Sequence, residues 1–247
     1  MQVFAHRGNS AHAPENTLES FRQAVALGVD GVEFDVRLSA DGEVVVMHDP
    51  TVDRTTSGTG AVRSLTLSQL RTFDAGYHFG PPDYPYRAKG VTIPTAREAL
   101  ELTSPLELII EIKAVEAAEP LLHLIKSRGD DARVTIGSFV PEALVPFRRA
   151  GLRTTASLPE ARALVAPAVC QLKRSRLPYT MLSIPPRYRG IPLPLSSLAR
   201  CVAPAGVSVS VWTVNDPRLA VRLWRGGVAA IITDDPRTIL NARRALA

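Results

Sequence analysis

At 247 residues with 45% apolar content, the chain has material for one large hydrophobic core, and its length is close to the ~250 residues of a single α/β barrel. No apolar stretch approaches the roughly 20 residues that span a bilayer, and the N-terminus lacks a basic-then-apolar leader, so a cytoplasmic protein without stable membrane insertion is expected. The net charge of +5 comes mostly from dispersed arginines; K-R-S-R at 173–176 is the densest run and has no interleaved aromatics, which points to a solvated basic surface rather than nucleic-acid binding.

In chain order, short β-branched runs alternate with helical patterns. Strands are predicted at 2–6, 31–38, 106–112, 133–138, 153–157, 180–184, 207–213 and 229–233. Helices are predicted at 16–27, 95–102, 116–128, 141–149, 159–166, 195–204, 216–225 and 236–245. Asn16 reads as the cap of the first helix, and Asp216-Pro217 and Asp235-Pro236 place a capping acid before a first-turn proline. Gly28, Gly129, Gly151 and Gly206 stand where left-handed helix stops are expected. Eight such units in one chain predict a TIM (β/α)8 barrel rather than an open sheet. The run 43–48 reads as an extra strand, joined by the turn 40–42 into a hairpin with the second strand. Residues 50–93 break the repeat and read as a small insertion after the second strand, capping the barrel mouth of a single domain spanning 1–247. Five of the chain's fourteen aromatics fall there, at Phe73, Tyr77, Phe79, Tyr84 and Tyr86. Cys170 and Cys201 are too few for a disulfide framework or a zinc cluster and read as small core fillers.

A barrel gathers its chemistry at the C-terminal ends of its strands. His6 and Arg7 end the first strand. Glu33 and Asp35 share one face of the second, because strand side chains alternate. His48 ends the hairpin, Glu111 and Lys113 end the third strand, Trp212 lies near the end of the seventh and Asp234 just past the eighth. Glu111 follows an apolar run, so its carboxylate needs a partner: an isolated buried charge is very costly. Ion pairs of Glu111 with Lys113, or of Glu33 with Arg7, are the plain structural alternative. Three carboxylates without a cysteine suit a hard cation, Mg²⁺ or Ca²⁺, better than zinc. Arg7 and Lys113 add charge that would hold an anionic phosphoryl group. One histidine can then take a proton from a nucleophile while the other gives one to a leaving alkoxide. These parts suggest a metal-dependent phosphoric-ester hydrolase. His12, His78 and His123 have no comparable setting.

The same residues, in this order, resemble the glycerophosphodiester phosphodiesterase family. The resemblance rests on H-R-G (6–8), P-E-N-T (14–17), G-V-E-F-D-V (31–36), H-D (48–49), D-R-T-T-S-G-T-G (53–60), I-P-T (93–95), E-I-K (111–113), W-T-V-N (212–215) and I-I-T-D-D-P (231–236), and runs nearly end to end. It is weakest over 152–180. It implies a TIM barrel with a small insertion, one divalent cation on Glu33, Asp35 and Glu111, an acid–base pair in His6 and His48, and phosphate contacts from Arg7 and Lys113. It implies hydrolysis of a small glycerophosphodiester to glycerol 3-phosphate and an alcohol, the neighbouring glycerol hydroxyl attacking phosphorus to give a cyclic phosphate that water opens. Trp212 would be a planar wall for glycerol or a filler of the barrel top, and Glu15 a loop acceptor as readily as a substrate contact. Two other readings stand beside it. One is a lysophospholipase D or sphingomyelinase D-like phosphodiesterase or lyase acting on lipid head groups. The other is a catalytically silent barrel acting as a binding module.

Overall fold

The computed structural model describes residues 1–246. Eight parallel strands follow one another around a barrel: Gln2–His6, Gly31–Leu38, Glu107–Ile112, Val134–Gly137, Arg153–Thr154, Met181–Ile184, Ser208–Val211 and Ala230–Thr233. The first pairs with the eighth, and the ring closes between the fifth and sixth through the single bridge Thr155–Met181. A helix or helix pair follows each strand, so the expected TIM barrel is the observed fold.

Alternation along the strands separates two cores. Val3, Ala5, Val32, Phe34, Val36, Leu108 and Ile110 point outward and pack under the helices. Phe4, Ile109, Met181, Ala230 and Ile232 point inward and fill the barrel floor. Gly31 admits the Phe4 ring, since a Cβ there would lie 2.3 Å from it. The register then lifts the charged residues above this floor. Phe4 pairs with Gly31 and His6 with Glu33, while Glu33 pairs with Ile109 and Asp35 with Glu111.

Helix stops fall at Gly28, Gly129, Gly151 and Gly206, all with positive φ. Asp216 and Asp235 cap their helices as expected. Asn16 does not. Thr17 caps the first helix, Leu18–Leu27, and the Asn16 side chain turns away to Asp35. The expected helix 159–166 is instead two short helices, Leu158–Ala163 and Val165–Val169. Cys201 is a core filler, but Cys170 is exposed. No helix among the described residues is long and apolar enough to cross a membrane.

The strand Val44–Val46 forms the expected hairpin with Val36–Leu38. Residues 50–93 add a 3-10 turn, Val62–Ser64, and one short helix, Leu67–Leu70. Val52, Val62, Leu70, Ala75 and Ile93 join Val45 and Met47 of the hairpin in a small core of their own. The aromatics of the segment are largely spent within it: Phe79 packs edge-on against Tyr86, and Arg87 lies over Tyr77 and Tyr84.

Where the fifth strand is only two residues long, side chains reinforce the seam. Arg148 donates to both oxygens of Glu160 at 2.8 and 2.9 Å, and Glu160 closes a capping box with Ser157. Burial would push this carboxyl up, but Arg148 and the Ser157 backbone hold it down at about 2. A depressed carboxyl stabilises the fold above its unfolded value and loses that contribution as pH falls through its folded value. Glu160→Gln is therefore expected to lower the urea midpoint at neutral pH. The difference from the parent should close as pH drops from 4.5 toward about 2. A gap that is unchanged at acid pH would show that the ion pair contributes nothing there.

Candidate active site

The barrel mouth holds an open cavity of about 640 Å³. His6, Arg7, Glu33, His48, Glu111, Lys113 and Trp212 all line it, and Asp35 lies beneath, 1% exposed. The eight residues given metal, acid–base or substrate roles from the sequence thus converge. The cavity's aromatic walls are Trp212 and Phe139, stacked edge-on at 5.9 Å. None of the five aromatics of the 50–93 segment lines it. Phe139 had no sequence signal beyond its place after the fourth strand.

Asp35 is the most heavily compensated group. Lys113 Nζ lies 3.1 Å from Oδ1 and Arg7 Nε 3.2 Å from Oδ2. Asn16 Nδ2 donates to Oδ2 at 2.9 Å, while Asn16 Oδ1 accepts from the Asp35 backbone N–H. Burial would raise this carboxyl, but Lys113 and Arg7 outweigh it and hold it low. Glu33 has less help, a backbone N–H from Arg7 at 3.3 Å and no lysine or arginine side chain within salt-bridge distance. It is buried, its nearest ionisable cation is His6 Nε2 at 3.9 Å, and burial together with the Asp35 charge pushes it up to about 8. Burial likewise raises Glu111, against the opposing pull of Lys113.

The two histidines are mounted alike. His6 Nδ1 stands 2.6 Å from Asp234 Oδ1, and His48 Nδ1 stands 2.6 Å from Asp49 Oδ1. An ionised carboxylate at Nδ1 favours the tautomer with the proton there and leaves Nε2 available to exchange a proton. Each aspartate is itself held. Asn215 Nδ2 and Ser10 Oγ donate to Asp234. Arg54 Nε donates to Asp49 at 2.5 Å, and with the His48 contact it keeps that carboxyl at about 2. Arg54 also forks onto both oxygens of Glu15 at 2.8 Å, and Glu15 Oε1 accepts from Arg7. Burial lowers His6, but Asp234 and then Glu33 reverse this, so its pKa sits above the ordinary histidine value. Asp49, Arg54, Asn215 and the positioning role of Asp234 were missed in the sequence reading. For Asp49 and Arg54 the signal was there, in the H-D and D-R-T-T-S-G-T-G motifs.

The residues fit a cation. Glu33, Asp35 and Glu111 bring carboxylate oxygens within 4.8 Å of one another. Among the described residues, Arg7 and Lys113 are the only lysine or arginine partners within salt-bridge distance of the three, and neither reaches Glu33. Arg7 Nε and Glu111 Oε1 are buried and make no hydrogen bond despite nearby counter-charges. An all-oxygen, acid-rich donor set of this kind suits a hard divalent ion.

The fold and this site describe a barrel enzyme that works on an anionic oxygen centre. The model of the Glycerophosphoryl diester phosphodiesterase family matches residues 6–238. The chain is 35% identical over 249 residues to a glycerophosphodiester phosphodiesterase of Caldanaerobacter subterraneus subsp. tengcongensis, covering 98% of this chain and 97% of that one. A solved phosphodiesterase of Oleispira antarctica, in complex with the product sn-glycerol-3-phosphate, superimposes with a TM-score of 0.82 at 31% identity, covering 99% of this chain and 97% of that one. A glycerophosphodiester phosphodiesterase structure from Agrobacterium tumefaciens gives 0.78 at 28%, covering 98% and 99%. The chain belongs to the glycerophosphoryl diester phosphodiesterase family and is an enzyme of that class, a phosphoric diester hydrolase.

Asn16 ties the loop to Asp35 of the second strand from a left-handed backbone, φ 57°. Asn16→Ala removes both hydrogen bonds to Asp35 and keeps an unfavourable φ. A loss of about 2 kcal/mol is expected, measured by urea unfolding. A loss within error of zero would show that Arg7 and Lys113 suffice for Asp35.

Proposed function

We propose that this enzyme hydrolyses small glycerophosphodiesters to glycerol 3-phosphate and an alcohol, using a divalent cation, Mg²⁺ or Ca²⁺, and two histidines. The observation that carries this reading is the matched mounting of His6 and His48, each Nδ1 on an aspartate, beside one acidic cluster. Glycerol 3-phosphate in the related Oleispira antarctica structure supports the substrate half.

Glu33, Asp35 and Glu111 would hold the cation, which when bound supplies charge to phosphoryl oxygens and acidifies an attached hydroxyl. Arg7 and Lys113 bind the remaining phosphate charge. Lys113 is suited to this, since Glu111 and Asp35 outweigh its burial and keep it protonated. One Nε2 takes the proton of the attacking glycerol hydroxyl and the other protonates the departing alcohol, because an alkoxide leaves poorly at neutral pH. The resulting cyclic phosphate is then opened by water, which gives up one proton and returns one to the freed glycerol oxygen through the same two histidines, yielding glycerol 3-phosphate. Trp212 supplies a flat wall for the glycerol carbons. The 50–93 segment caps the mouth and acts through Arg54, which orients Asp49 and hence His48. The reading places the enzyme in the cytoplasm, on freely diffusing diesters.

Removing the imidazole in His48→Ala is expected to cut kcat on glycerophosphocholine by on the order of a thousandfold or more, with an unchanged circular dichroism spectrum. Near-parental turnover would take His48 out of the mechanism. Mg²⁺ or Ca²⁺ should raise the Tm of EDTA-treated protein, and the shift should vanish in Glu111→Gln. An unaltered Tm in the parent, together with activity indifferent to EDTA, would remove the metal from the reading.

A further inference from the structure

From 161 to 215 the chain holds seven lysines and arginines and no aspartate or glutamate. The whole molecule carries only +5, so its positive excess is concentrated in this stretch. All seven side chains are exposed. Among the described residues none of them forms an ion pair. The densest part is 169–176, where every residue is exposed. Lys173, Arg174 and Arg176 stand there beside two large aliphatic side chains, Val169 at 62% and Leu172 at 57% exposure. Arg200 joins them from the end of the helix Leu195–Val202, because the Arg174 N–H donates to the Cys201 carbonyl at 2.8 Å.

Connectivity fixes the face on which this patch lies. Residues 170–180 carry the chain from the helix Val165–Val169 into the start of the strand Met181–Ile184. They therefore sit at the strand-entry end of the barrel, opposite the mouth. The carboxylates of the neighbouring strand entries are already neutralised. Asp30 pairs with Arg243, Glu107 with Arg153, Asp131 with Lys126, and Asp130 with Arg128 and Arg133. The cations of 173–176 have no such partner. Exposed aliphatic side chains within an uncompensated cationic patch mark an interaction surface.

The chemistry of the patch selects its occupant. A second copy of this chain would set cation against cation. A nucleic acid would match the charge but leave Val169 and Leu172 uncovered, and 169–176 has no aromatic side chain to stack on a base. An anionic bilayer satisfies both components: its headgroup phosphates meet the cations, and the aliphatic side chains enter the boundary between headgroups and acyl chains. We propose that this face docks the enzyme reversibly on an anionic lipid surface, with the barrel mouth turned toward water. The docked enzyme still takes its substrate from solution. The inference concerns the opposite end of the barrel and does not depend on which phosphodiester is cleaved.

The test is co-sedimentation of the protein with vesicles of phosphatidylcholine alone, or of phosphatidylcholine and phosphatidylglycerol in equal parts. Partition onto the anionic vesicles is expected to be at least tenfold stronger than onto the neutral ones, and to be lost between about 0.05 and about 0.5 M NaCl. Each lysine or arginine near such a surface contributes about fivefold, so the double variant Lys173→Glu, Arg176→Glu should lose twentyfold or more. Leu172→Ser should lose severalfold. Both variants should keep the parental circular dichroism spectrum and, without vesicles, the parental turnover of glycerophosphocholine. Vesicle-bound parent should keep its kcat/KM on glycerophosphocholine, and a loss on docking would overturn the outward placement of the mouth. Equal binding to both vesicle types, binding to neither, or parental binding by the double variant would overturn the proposal. Salt-sensitive binding of a DNA duplex without vesicle binding would overturn it in favour of a nucleic-acid surface. A parent that docks but turns over no glycerophosphodiester would count against the phosphodiesterase reading alone.

Discussion

The buried carboxylate of Asp35 is the constraint around which the rest of the mouth is organised. A lone charge at 1% exposure carries an effective desolvation cost of several kcal/mol. Arg7 and Asn16, from one loop, and Lys113, from the end of the third strand, converge to offset it. Two of them do so from strained backbone, Arg7 at φ 55° and Asn16 at φ 57°. Such left-handed residues persist only where the surroundings over-determine them. Here the loop between the first strand and its helix is pinned at both ends by Asp35. The same loop supplies Glu15, which gathers Arg7 and Arg54. One buried charge thus fixes the loop, and the loop helps to fix the groups around His48.

The charges are then graded by position. Asp35 is satisfied by lysine and arginine and stays ionised. Glu33, one register step nearer the barrel floor and across from His6, is not. That imbalance is costly for the protein alone, and a cluster so arranged could hold a cation. Above it, two imidazoles are mounted on aspartates that are themselves held by Asn215 and Arg54. A rigid outer layer keeps each Nε2 committed to one direction, which is what positioned acid–base work requires.

The cationic patch depends on a different part of the chain. It lies on the segment that leads from the two short helices after the fifth strand into the sixth. The chemistry gathers at the strand ends and this surface charge at a strand entry. The two therefore sit on separable parts of one barrel, as expected of a fold whose connecting loops vary independently.

Much of the molecule was legible in the residues. Alternation in 31–36 and 106–113 placed Glu33, Asp35, Glu111 and Lys113 on inward faces, and eight strand–helix units set the barrel. These are local signals, because side-chain direction in a strand depends on nothing beyond the pleat. The failures have one source. Asn16 has the chemistry of a helix cap, yet it serves Asp35, 19 residues away. The aromatics of 73–86 look like a lid, yet they close on one another and on Arg87. Phe139 looked like any loop residue and became a cavity wall. The sequence by itself determined which residues could carry the chemistry and which face of each strand they occupy. Only the tertiary structure decided which aspartate holds which histidine, which carboxylate goes without a lysine or arginine, and where space remains beside them. Those are distances between segments remote in the chain, set by strand register and helix packing, and no local pattern encodes them.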